Sequence, residues 1–82
     1  MEVRHLRVFL AVADTGSVTR AAHVLHLSQP SVSQTLRALE RECGVELFHR
    51  VGRGLKISAA GEALLARLRS GVSGVASRVR RR

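Results

Sequence analysis

Tryptophan and tyrosine are missing from this sequence, and Phe9 and Phe48 are its only aromatics. A core made without large rings has to be assembled from Leu, Val and Ala, a palette that favours helix packed on helix. The single cysteine, Cys43, excludes an intramolecular disulfide, so a reduced, cytoplasmic setting is the expectation. No signal peptide and no apolar run of membrane-crossing length is present. Acidic residues number 6, and they form no paired-carboxylate motif; with no phosphate loop and no room for a pocket-sized core, enzyme chemistry is not expected. Ser28 and Ser58 have no His and acid at a catalytic spacing and are read as helix caps. His23, His26 and His49 fall short of a convergent ligand set, so neither a metal nor another cofactor is expected.

What the sequence has in quantity is positive charge. Lys and Arg number 14, for a net charge of +8, which points to a polyanionic partner such as nucleic acid. Thirteen of the 14 are Arg, the side chain suited to bidentate recognition of phosphate and guanine. In the Arg-rich stretch from Arg78 to Arg82, Ser and Gly interrupt any apolar face that a lipid surface would need. At 82 residues the chain makes one small domain, burying only about 60–65% of its unfolded surface, so partner chains would add to a marginal stability.

Helical spacing opens the chain. Val3, Leu6, Leu10 and Ala13, with Phe9 beside them, form one face of a first helix that Gly16 stops. Ser17 caps a short second helix in which Val18, Ala21, Ala22 and Leu25 repeat the spacing, with small residues that admit a close neighbour. After His26 and Leu27, Ser28 caps a third helix, with Pro30 in the first turn where a missing N–H costs no bond. Val32, Leu36, Leu39 and Cys43 fall on one stripe of it and are expected inside, and Gly44 ends it. Two helices joined by so short a turn are a helix-turn-helix candidate.

From Val45 to Ile57 the helical period is lost. Gly52 and Gly54 bracket Arg53, and the runs Leu47 to Arg50 and Leu55 to Ser58 pair as a short hairpin, a wing anchored by Phe48. Ser58 caps a last helix whose Leu65, Leu68, Val72, Val75 and Val79 follow a heptad seam, as in a two-helix coiled coil. Val at positions 72 and 79 suits the a sites of a parallel pair, although spacing alone leaves strand direction open. The same stripe could instead pack on a further domain. Gly71 and Gly74 each lower helix propensity by about 1 kcal/mol relative to Ala, so the distal half depends on a partner helix.

The run SQPSVSQTLRALERECGVELFHRVGRGLKISAAGEALL from Ser28, preceded by SVTRAAHVLHL, resembles the LysR-type bacterial transcription regulators. The resemblance is carried by Ala21-Ala22, Ser28-Gln29-Pro30, Leu39-Glu40, Gly44, Leu47-Phe48, Arg50, Arg53 and Ala60-Gly61, in order and at the family's spacing. It implies a mainly α fold: a winged helix-turn-helix of three helices and a two-stranded wing over residues 1–58, then a dimerising linker helix over 59–82. On that plan the chain stops before any effector domain. The implied partners are double-stranded operator DNA and a second copy joined through the linker helix, with tetramers open to the intact protein; no membrane and no small-molecule site are expected, and the place of action is the nucleoid.

With the aliphatic stripe of the third helix inward, Pro30, Gln34, Arg37 and Arg41 project outward, flanked by Ser31 and Ser33. A helix-turn-helix puts the start of its second helix into the major groove, which places Gln29, Pro30, Ser31, Ser33 and Gln34 for base edges and Arg37 for a base or phosphate, with Ser28 in the same DNA-binding set. The family resemblance implies Arg where this chain has Gln34, a change that favours adenine over guanine. Arg53 at the hairpin tip suits a narrow minor groove, and Arg50 and Lys56 suit phosphates. Paired linker helices imply an inverted-repeat target. Arg67, Arg69 and Arg78 read equally as a solvated helix face or as contacts to the DNA backbone, Arg20 and Arg41 as surface charge, and Cys43 as core rather than redox sensor. The competing function is a winged-helix protein-interaction module that never touches DNA.

Overall fold

The computed structural model describes the backbone of residues 2–81 and side chains as far as residue 70. Its elements run α1 (Val3–Thr15), α2 (Val18–Leu25), α3 (Gln29–Cys43), β1 (Phe48–Val51), β2 (Gly54–Ile57) and α4 (Ala59–Arg81). Local chemistry sets most of the boundaries. Ser17 Oγ accepts from the Arg20 amide at 3.2 Å and Ser28 Oγ from the Ser31 amide at 3.2 Å, satisfying donors that a helix start leaves without partners. α3 ends at Gly44, whose φ of 73° is costly for any residue with a Cβ. α2 ends on His26 in the same left-handed region, at φ 57°, and the Leu27 amide returns to the Ala22 carbonyl at 2.9 Å.

Three helices enclose one core. Val8, Phe9 and Val12 come from α1, Ala21 and Ala22 from α2, Val32, Leu36 and Leu39 from α3, and Leu47 and Phe48 close it from the start of the wing. The alanines let α2 pack against both α1 and α3. The Phe9 and Phe48 rings meet at a centroid distance of 5.5 Å and a tilt of 47°, within the favourable range for an aromatic pair. They join the first helix to the hairpin.

Two parts of the sequence reading are corrected. The face of α1 expected inward is rotated: Val3 is 73% exposed and Leu10 39%, Leu6 and Ala13 are only partly buried, and Val8, Phe9 and Val12 are the buried set. From Val8 to Ala13 the helix is apolar all round, so two stripes satisfy the same period. The stripe that carries the ring to Phe48 wins because it fills the larger volume. Cys43 is exposed rather than core, because it is the last residue of α3 and the buried stripe stops at Leu39, one turn earlier.

Side chains also tie the elements together across the sequence. Glu40 Oε2 accepts from the Leu47 amide at 2.7 Å and the Phe48 amide at 3.4 Å, fixing where β1 leaves α3. Ser58 is buried; its Oγ accepts from the Gly61 amide at 3.0 Å, capping α4, and donates to the Glu46 carbonyl at 2.7 Å. His5 Nδ1 lies 2.9 Å from Glu42 Oε1, linking α1 to the end of α3. Among the described residues no helix is long and apolar enough to cross a membrane.

Candidate nucleic-acid interface

The inward stripe of α3 dictates what its other side presents. With Val32, Leu36 and Leu39 buried, Pro30, Ser31, Gln34, Arg37 and Arg41 are exposed and Ser33 is half-buried. The hydroxyl of Ser28 is committed locally, since besides capping it donates to Ser31 Oγ at 2.9 Å. The side-chain amide of Gln29 donates to the Thr19 hydroxyl in α2. Thr19 was not among the sequence candidates. Its place in the first turn of the preceding helix, facing the start of α3 across the turn, is the only signal that would have marked it.

β1 and β2 pair antiparallel, with His49 opposite Lys56, Arg50 opposite Leu55 and Val51 opposite Gly54. Each strand is shifted by one residue from its expected run, β1 forward and β2 back, both toward the turn, and the tip is the expected Gly52-Arg53, with Gly52 at φ 58° as a two-residue hairpin turn requires. Alternation along a strand puts Arg50 on the Phe48 side, facing α3, and Lys56 on the opposite side with His49. The structure therefore brings Arg50 and Arg53 to the α3 face and leaves Lys56 on the far side of the wing.

Gln29, Ser33, Arg50 and Arg53, together with Ser17 and Thr19, line one cleft of about 250 Å³. A neighbouring cleft of about 370 Å³ between α3 and the wing is lined by Ser33, Arg37 and Arg50, among others. Among the described residues no carboxylate is ion-paired with Arg37, Arg50, Arg53 or Lys56. Their charges are available to an outside anion, and Arg and amide side chains around a shared cleft can meet phosphate and base edges together.

On α4, Leu65 and Leu68 are half-buried and pack, with Ala60 and Leu64, against the core of their own chain. Arg67 and Arg69 are exposed. The side chains of Val72, Val75, Arg78 and Val79 lie outside the described residues. Among the described residues no group of three His, Cys, Asp or Glu could hold a metal ion.

Three helices around an aliphatic core, a short turn between the second and third, and a two-stranded wing define a winged helix-turn-helix domain. The family model for the bacterial regulatory helix-turn-helix protein, lysR family, matches residues 3–62, and the chain belongs to that family as its DNA-binding domain. It is 51% identical over 65 residues to the HTH-type transcriptional regulator PcaQ of Agrobacterium fabrum, covering 79% of this chain and 21% of that protein. Over 74 residues it is 46% identical to the small neutral protease regulatory protein of Streptomyces coelicolor, covering 90% of this chain and 23% of that one. The chain spans about a fifth of the length of PcaQ and of several other curated relatives it matches, and under half of the shortest, and these are regulators, not enzymes. Among solved structures, the CbnR DBD–DNA complex superposes with a TM-score of 0.80 at 42% identity, covering 100% of both chains. The BenM DBD/catB site 1 DNA complex gives 0.76 at 37%, covering 99% of this chain and 94% of that one.

Proposed function

We propose that the chain binds double-stranded DNA sequence-specifically as the reading head of a transcription regulator. α3 enters the major groove, Arg53 the minor groove, and two copies joined through α4 read an inverted repeat. The observation that carries this is the convergence of Gln29, Ser33, Arg50 and Arg53 on one cleft beside the exposed face of α3. The DNA complexes among its structural relatives support the reading and weigh against a protein-interaction module that never touches DNA. In this arrangement Pro30, Ser31 and Gln34 meet base edges, Arg37 a base or phosphate, and Arg50 and Lys56 the backbone. Leu65, Leu68, Val72, Val75 and Val79 form the pairing seam, with the proximal two shared between the seam and the core. Residues 1–58 act as the reading domain and 59–82 as the linker.

A gel-shift titration at several salt concentrations tests this. If a dimer neutralises roughly six or more phosphates, affinity falls by about a thousandfold between about 50 and 200 mM salt. A flat dependence overturns the proposal.

Base preference is expected to follow the Gln34 amide. Gln pairs with adenine N6 and N7 and Arg with guanine O6 and N7, so Gln34→Arg moves preference at one position toward guanine by roughly 1–3 kcal/mol. Selection of bound duplexes from a random pool reads this directly, and an unchanged profile would place Gln34 outside the base-reading set. At the wing, Arg53→Ala is expected to weaken binding most on A/T-rich flanks, where the narrow minor groove concentrates negative potential. Equal loss on every flank would make Arg53 a plain phosphate contact.

A further inference from the structure

We infer that one backbone phosphate of each half-site is seated in the cleft between α2 and the wing, held by Arg50 on one wall and by the Thr19–Gln29 pair on the other. The inference rests on the DNA-binding reading above and adds α2 to the surface that meets the duplex. One anion would then bridge two parts of the domain that are far apart in sequence.

The cleft of about 250 Å³ gathers donors from three elements: Ser17 and Thr19 at the start of α2, Gln29 opening α3, and Arg50 from β1. No carboxylate lines it. The larger cleft beside it differs, since Glu40 and Glu46 are among its walls and their charge repels an anion. Arg50 borders both clefts and makes no ion pair or side-chain hydrogen bond among the described residues. Lys56, opposite His49 on the other side of the hairpin, borders neither. Arg53 borders the smaller cleft from the turn, where the reading above sends it to the minor groove.

The chemistry of the second wall does not depend on how the Gln29 amide is turned. Thr19 and Gln29 are hydrogen-bonded to each other through their side chains. Between them the hydroxyl and the amide carry three polar hydrogens, and their contact uses one, whichever end of the amide faces Thr19. Two remain in either case: the Thr19 O–H and one Gln29 N–H, or both Gln29 N–H groups. One can meet a phosphate oxygen, and the other stays on Gln29 for a base edge. Ser17 adds a further donor, because its Oγ accepts from the Arg20 amide while its own O–H has no acceptor among the described residues. A phosphodiester offers acceptors and no donors, and hydrogen bonds to an ionised oxygen are roughly twice as strong as those between neutral groups. Such a wall facing an arginine suits that ligand.

The test neutralises one phosphate at a time. A duplex carrying the half-sites chosen from a random pool is made with a single methylphosphonate at each backbone position in turn, and its affinity for the 82-residue chain is measured by gel shift. At the seated phosphate the unchanged chain is expected to lose roughly tenfold, the scale of a hydrogen bond to a charged group. That same position loses its effect, to within about twofold, in both Arg50→Ala and Thr19→Val and keeps it in Lys56→Ala. Arg50→Ala also lowers the salt slope by about one per half-site, whereas Thr19→Val, which removes no charge, leaves it. Both side chains are exposed, so the thermal midpoint is expected to stay. If the two variants silence different positions, two phosphates are involved and the inference is overturned. It is overturned as well if either variant silences none, or weakens every duplex alike with a lowered thermal midpoint. A chain whose affinity no methylphosphonate alters, with a flat salt dependence, overturns the DNA reading itself and this inference with it.

Discussion

Phe48→Ala is expected to cost about 3–5 kcal/mol of folding stability, the range for removing a buried aromatic. At roughly 0.05–0.15 kcal/mol per residue a chain this small holds only about 4–12 kcal/mol in total, so a large share of the margin goes with one ring. The ring is 7% exposed and lies 5.5 Å from that of Phe9, and these are the two aromatics of the whole sequence. Apart from Phe9 there is no ring to move into the space. The consequence reaches the interface because Phe48 begins β1, and without it the hairpin carrying Arg50 and Arg53 is held by the Glu40 bonds to the Leu47 and Phe48 amides and by the smaller aliphatic contacts of Leu47, Leu55 and Ile57 with the core. Chemical denaturation gives the stability change, and Phe48→Leu, which refills much of the volume, should recover a good part of it. A Phe48→Ala chain that unfolds within about 1 kcal/mol of the unchanged one would mean the ring is not part of the core.

Gly61→Ala sets two effects against each other. Gly61 lies in the first turn of α4, where helix propensity alone would make alanine better by about 1 kcal/mol. The space around it says the reverse. A Cβ built there meets the Leu47 carbonyl oxygen at 2.3 Å, Ile57 Cγ1 at 2.6 Å and the Leu47 carbonyl carbon at 3.2 Å. Ile57 can turn aside, but the Leu47 carbonyl is backbone and already accepts from the Ser58 amide at 2.9 Å. Relief requires α4 to lift away from the strand, breaking the seam that Ser58 makes between Glu46 and Gly61. Overpacking of this kind costs about 1–3 kcal/mol, and with backbone as the obstacle the upper part of that range is expected to outweigh the propensity gain. A thermal melt decides the sign: a higher midpoint for Gly61→Ala would show that propensity won and that α4 is free to shift.

Where the reading of the sequence succeeded, the signals were local. Ser17, Ser28 and Ser58 cap the helices that follow them and Gly16 and Gly44 close the helices before them, because a cap acts within three or four residues of itself. Arg53 at a hairpin tip between glycines needed only turn chemistry. The misses had a different origin. α1 is apolar on too many sides for period alone to choose Phe9 and Val12 over Val3 and Leu10, and the choice was made by Phe48, some forty residues away. Glu40, present in the sequence as half of a Leu39-Glu40 signature, gained its role from the Leu47 and Phe48 amides that fold back onto it.

Taken alone, the order of residues determined the succession of helix, turn and wing, the outward side of α3 and the positive charge that asks for a polyanion, since periodicity, capping and net charge are properties of short segments or simple sums. Only the packed chain decided which side of α1 is buried, that Cys43 meets solvent, that Arg50 faces α3 while Lys56 does not, and that Thr19 holds Gln29. Each of these depends on which surfaces exclude water together, and that is known only once distant segments have met.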